Sequence, residues 1–113
     1  MLHAQNYVTS KTASKKAIKY YEYAVQASFN KQLKEGMTYI NRAIELEPNF
    51  IDAYIQRGNI YYDLGDLDKA EAEFLKVLSI DENYAENTLY NIGLINWKQE
   101  NKKGNTFCHK WKN

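Results

Sequence analysis

The 113-residue chain contains one cysteine, one proline and two histidines. Lone Cys108 has no internal partner, so cysteine usage does not fix a redox compartment. His3 and His109 stand near opposite ends, and Cys108-His109 lacks a second ligand pair at metal spacing. A Cys/His nucleophile would also need an orienting third group, which is not visible. There is no glycine-rich phosphate loop: Gly58, Gly65 and Gly93 read as packing or turn residues. No metal, cofactor or catalytic residue is expected, and the chain reads as non-enzymatic. So little glycine and proline disfavours frequent short strands and favours long helices. No apolar run approaches the roughly 20 residues of a membrane span. A soluble chain is therefore expected, in a cytoplasm or in a bacterial periplasm or cell envelope. Met1-Leu2-His3-Ala4-Gln5 is too short for a signal peptide and reads at most as the remnant of one.

What is abundant is aromatic: ten tyrosines, four phenylalanines and two tryptophans. That surplus either packs between helices or lines a binding face, and spacing must decide which. Charge is segregated. Up to residue 34 there are six lysines against Glu22 alone, whereas residues 35–84 carry eleven acids against four bases. An acidic middle opposes a continuous basic stripe for nucleic acid. Lys11, Lys15, Lys16 and Lys19 read as a solvated helix start. Asp63, Asp66 and Asp68 resemble a loose calcium loop, but the required glycine and closing glutamate are not in register, and helix capping explains these acids better.

A shift of 34 residues superimposes like on like. Tyr20 falls on Tyr54, Ala24 on Gly58, Gly36 on Ala70 and Ile40 on Phe74. Ala43 then meets Val77, Ile44 meets Leu78, Asn49 meets Asn83 and Phe50 meets Tyr84. Within each unit the apolar period is helical: Leu67, Ala70, Phe74, Val77 and Leu78 fall on one stripe. Between stripes, Gly65 ends one helix and Asp66 can cap the next. Pro48 lacks an amide donor and separates successive hairpins.

These residues resemble the tetratricopeptide repeat, whose period is 34 residues. Residues 51–84 carry the resemblance best, through Tyr54, Gly58, Tyr61, Ala70 and Phe74, with Glu82 where a proline is usual. Residues 17–50 match with Tyr20, Ala24, Gly36, Ile40, Ala43 and Pro48. The resemblance implies an all-α fold of antiparallel helical hairpins stacked as a short right-handed α-solenoid. Two good repeats at 17–50 and 51–84 would follow a polar lead-in at 1–16, whose end starts the first helix. A degenerate third unit at 85–113 needs one extra residue near Asn87-Thr88. Helix is expected at 85–99 and a frayed end at 102–113, leaving Ile92, Ile95 and Phe107 poorly covered, as in a piece of a longer array.

The resemblance also implies a concave groove lined by the first helix of each unit: Tyr21, Val25 and Phe29, then Ile55, Asn59 and Tyr62, then Tyr90, Leu94 and Trp97. Phe29 or Leu94 could instead simply pack between helices. A partner protein or peptide segment is expected there, with no nucleic acid and no membrane insertion. Chaperone-docking relatives use basic clamps, but the corresponding positions here hold Tyr21, Val25, Gln56, Glu86 and Tyr90, so that mode is not expected. Self-association through the C-terminal end, as a structural scaffold, is the alternative. A regulatory appendage of an enzyme is a further one. A weaker similarity is to the repeat segments of bacterial envelope proteins that also carry β-propeller and peptidoglycan-binding domains, suggested by Ala4-Gln5 and the Ser/Thr/Lys lead-in.

Overall fold

The computed structural model describes residues 7–81 and 85–102. Among the described residues five helices follow one another: α1 (Lys15–Phe29), α2 (Leu33–Leu46), α3 (Ile51–Leu64), α4 (Leu67–Ile80) and α5 (Ala85–Lys102). Each packs on its neighbour in sequence, and α1 also touches α3. The result is a short all-α solenoid of stacked antiparallel helices, with no strand among the described residues beyond one isolated bridge.

Local chemistry sets the boundaries. Ser14 opens α1 by accepting the Ala17 amide on its hydroxyl at 3.2 Å. Past the end of α1, Lys31 takes a left-handed backbone with φ 65°. Its amide donates to the Ser28 carbonyl, and the Gln32 amide reaches back to Ala27 at 2.8 Å. Gly65 does the same for α3: φ is 87°, its amide donates to Tyr62, and the Asp66 amide donates to Tyr61. Asp66 stands at the start of α4, but its carboxylate does not cap the helix. It lies 3.7 Å from the Lys69 ammonium instead.

The crossings need small residues. Ala24 and Ala43 are fully buried between α1 and α2, as is Ala70 between α3 and α4. At Gly58 an added Cβ would lie 2.9 Å from the Phe74 ring, closer than carbon atoms tolerate. Around these points Ile40, Phe50 and Ile60 fill one core, while Leu67, Phe74 and Ile95 fill another. Ile95 is therefore fully covered rather than left open, because the hydrophobic stripe of α5 closes on α4. Phe107 lies outside the described residues.

One ion pair joins three helices. Arg57 of α3 donates to Glu73 of α4 at 2.6 Å and to Asn41 of α2 at 3.0 Å. Its guanidinium also lies over the Tyr54 ring. Glu73 is buried, so this carboxylate depends on Arg57 for compensation.

Residues 7–14 are tied down. Thr9 closes a turn on itself, accepting from the Thr12 and Ala13 amides. Val8 pairs with the segment between α2 and α3: its amide donates to Asn49 at 2.8 Å, and its carbonyl accepts from Ile51 at 2.9 Å.

Candidate functional site

The candidate groove residues come from α1, α3 and α5. Successive positions on each helix lie three or four residues apart, so they share a face. The structure gathers only some of them. Asn59 and Tyr62 of α3 meet Leu94 of α5 around a cleft of about 170 Å³, completed by Phe74 and Asn91. Phe74 comes from the buried stripe of α4, which fixes the relative placement of α3 and α5. Tyr62 is half-buried against Leu67, Ala70, Phe74 and Ile95, and the Lys98 ammonium lies 4.4 Å from its ring centroid.

The remaining residues lie around this cleft or apart from it. Ile55 is half-buried against Ile51, Tyr54 and Val77 and serves the core. Tyr21 is half-buried too, with its ring centroid 5.2 Å from that of Phe50. Burial, then the charges of Asp52 and Glu22, push the Tyr21 phenol above its ordinary pKa, so it stays neutral across the physiological range. Val25 and Phe29 are 39% and 81% exposed, so Phe29 does not pack between helices. Tyr90 and Trp97 are 67% and 53% exposed on α5. With Leu94 between them in sequence, they form a stripe running past the cleft.

Chemically the cleft is apolar with a pair of carboxamides. Tyr62 and Leu94 offer ring and aliphatic surface over the buried floor of Phe74, while Asn59 and Asn91 each offer donors and an acceptor. A main-chain amide presents the complementary donor and acceptor. No group in the cleft is a nucleophile paired with a base. Among the described residues, no set of three or more His, Cys, Asp or Glu is grouped to hold a metal. His3, Cys108 and His109 lie outside the described residues.

Sequence reasoning did not single out Asn91 or Lys98. With the inserted residue allowed for, Asn91 is the third-unit counterpart of Gln56. Gln56 itself crosses between helices, donating to the Ser28 hydroxyl at 3.1 Å. That correspondence was the available signal for Asn91. Lys98 carried none, because its role depends on how α5 lies over Tyr62.

A larger and more open cleft, about 450 Å³, lies between α1 and α2. Tyr20, Thr38, Tyr39, Asn41, Arg42 and Glu45 line it. Its cation is already engaged: Arg42 pairs with Glu45 at 3.0 Å and lies over the Tyr20 ring. Tyr23 packs on Tyr39 at 5.3 Å beside it.

Residues 51–84 match the family model of the tetratricopeptide repeat. Together with the stacked hairpins, this match supports a tetratricopeptide-repeat protein, a class whose repeats mediate protein–protein interaction and are themselves non-catalytic. Over 48 residues the chain is 40% identical to a UDP-N-acetylglucosamine--peptide N-acetylglucosaminyltransferase of Giardia intestinalis. The aligned stretch is 42% of this chain and 3% of that enzyme, a small repeat segment of it. Neither match carries the similarity to bacterial envelope proteins. No described helix is long and apolar enough to cross a membrane.

Proposed function

We propose that this chain is a non-enzymatic module that holds a segment of a partner protein across α3 and α5. The observation that carries this reading is the cleft in which Asn59 and Asn91 flank apolar surface from Tyr62 and Leu94, over a floor formed by buried Phe74. Exposed Tyr90 and Trp97 extend that surface along α5, and aromatic anchors beside a concavity are typical of energetic hot spots. Val25 and Phe29 would lengthen the contact along α1. The eleven acids of residues 35–84 oppose a phosphate backbone, so the partner is protein rather than nucleic acid.

Selecting peptides from a random library on the immobilised chain tests the reading. Selected peptides should lose about ten-fold or more in affinity to Asn59→Ala/Trp97→Ala, a change of at least about 1.4 kcal/mol. Unchanged binding, with helix content retained, would remove the groove assignment.

A second reading, self-association, has its own observation. Around exposed Gly93 an added Cβ would meet nothing within 4 Å, and Leu89, Tyr90 and Trp97 stand exposed on the same helix. A second copy could cover that face. Sedimentation equilibrium decides it: a concentration-dependent mass supports the scaffold, and a strict monomer removes it.

A further inference from the structure

The helix α3 begins without a cap of its own. Phe50 occupies the position where Ser, Thr, Asp or Asn would ordinarily accept an amide, and it makes no side-chain cap bond. The first amide of the helix, that of Ile51, is satisfied instead by the Val8 carbonyl at 2.9 Å. In return the Val8 amide donates to the Asn49 carbonyl at 2.8 Å. This is the backbone exchange by which an extended peptide docks on an open edge.

Side chains make the contact specific. Tyr7 packs against Ile51, Tyr54 and Val77, and its hydroxyl donates to the Asp81 carboxylate at the end of α4. Val8 packs against the neighbouring core that contains Phe50. Two further carboxylates receive the following residues. Asp52 accepts the Ser10 amide at 2.6 Å, and Glu47 accepts the Ser14 amide at 3.0 Å. The receiving edge thus offers apolar surface at Ile51, Tyr54 and Val77, the first amide of α3, one carbonyl and three carboxylates, contributed by α3, the segment before it, the end of α2 and the end of α4. The segment Tyr-Val-Thr-Ser-Lys-Thr-Ala-Ser supplies donors and contains no acid.

We propose that this edge is a peptide-binding site, separate from the α3–α5 cleft, and that its ligand is residues 7–14 of this chain. Its recognition rule is a non-acidic segment, extended at an aromatic residue followed directly by a β-branched one and turned just after them. The turn closed at Thr9 holds the segment in its bound shape and lowers the ordering cost of docking. Because the segment bridges the ends of α2, α3 and α4, it acts as a latch that couples the two hairpins.

The test uses the full chain and a fluorescein-labelled synthetic peptide of residues 5–16. In the variant Tyr7→Asp/Val8→Asp, one new acid faces the Asp81 carboxylate and the other would enter the apolar core at Phe50, and both displace the latch. The labelled peptide should bind this variant at least about ten-fold more tightly than the unaltered chain. A peptide carrying Tyr7→Ala should lose that gain. Binding to neither chain, or equally to both, would overturn the proposal. Hydrogen exchange on the unaltered chain decides the matter even if the variant does not fold. The Ile51 amide, the first of its helix, should exchange at least about ten-fold slower than an unbonded amide, and exchange at the unbonded rate would overturn the proposal.

Discussion

Lys31 and Gly65 stand 34 residues apart and adopt the same left-handed backbone, at φ 65° and 87°. Each ends the first helix of a hairpin, and each is followed by an amide that reaches back five residues to a helix carbonyl. Glycine takes this conformation without penalty. A side chain bearing a Cβ does so at a cost of about 1–2 kcal/mol.

Lys31→Gly should therefore stabilise the chain. Relief of the backbone cost is partly offset by the greater freedom of glycine in the unfolded chain, leaving a net gain of about 0.5–1 kcal/mol. Urea denaturation checks it, with Lys31→Ala as a control that keeps the Cβ and should gain nothing. A loss of stability in Lys31→Gly would mean that the Lys31 side chain contributes more than its backbone costs.

Gly58 and Gly93 should respond to alanine with opposite signs. At Gly58 the new methyl would meet Phe74 at 2.9 Å and Glu73 Cβ at 3.3 Å, forcing α3 and α4 apart. Overpacking of about 1–3 kcal/mol exceeds the roughly 1 kcal/mol of helix propensity gained, so Gly58→Ala destabilises by about 1 kcal/mol. At Gly93 there is nothing to meet, and Gly93→Ala should stabilise by up to about 1 kcal/mol. Thermal melts of both variants give the comparison. A destabilised Gly93→Ala would show that another surface approaches α5 there, as the self-association reading requires.

Removing Arg57 leaves buried Glu73 without its ion-pair partner and cuts the tie to Asn41. Loss of one member of a buried pair costs about 3–5 kcal/mol, less where the pair keeps some solvent, so about 2–3 kcal/mol is expected for Arg57→Ala. Replacing both partners, as Arg57→Met/Glu73→Leu, should recover most of that loss. If the single variant costs less than about 1 kcal/mol, the pair behaves as an ordinary surface contact.

Stability should fall at alkaline pH, and Tyr21 contributes to the fall. Burial raises its phenol pKa above 10.0 in the folded chain. Above the unfolded value the unfolded chain sheds a proton that the folded chain retains, so the favourable contribution, full below about pH 10, is lost as pH rises through the folded value. Tyr54 adds to the effect, raised by burial against the opposing charge of Arg57. Tyr21→Phe keeps the ring on Phe50 and should reduce the alkaline slope of urea stability. An unchanged slope would show that the Tyr21 phenol is solvated in the folded chain.

The helices, their hairpin pairing and the small crossing residues were legible because they are local or periodic. Gly58 and Ala70 had to be small where two helices touch, and Pro48 had to interrupt. Lys31 was not legible as a left-handed residue, because lysine carries no backbone signature. Its role follows only from its register with Gly65. Nor was the latch: Tyr7 meets Asp81 across 74 positions and Ser14 meets Glu47 across 33, with no pattern linking them. The Arg57–Glu73 pair joins residues 16 apart on different helices, which no spacing pattern links. In the cleft, Asn59, Tyr62 and Leu94 were named through the resemblance to the repeat family, and all three line it. Asn91 was not singled out: its register with Gln56 places it on α5, but its position at the cleft depends on how α5 packs beside α3.

Backbone and side-chain NMR shifts of the full chain, titrated with a library-selected peptide, would test the groove reading most directly. The expected result is perturbation centred on Asn59, Tyr62, Asn91, Leu94 and Trp97, with little change at Tyr20, Tyr39 or Val8. Perturbation centred on Tyr20, Tyr39 and Arg42, or on the edge around Asn49 and Ile51, would contradict it and place partner binding elsewhere on the solenoid.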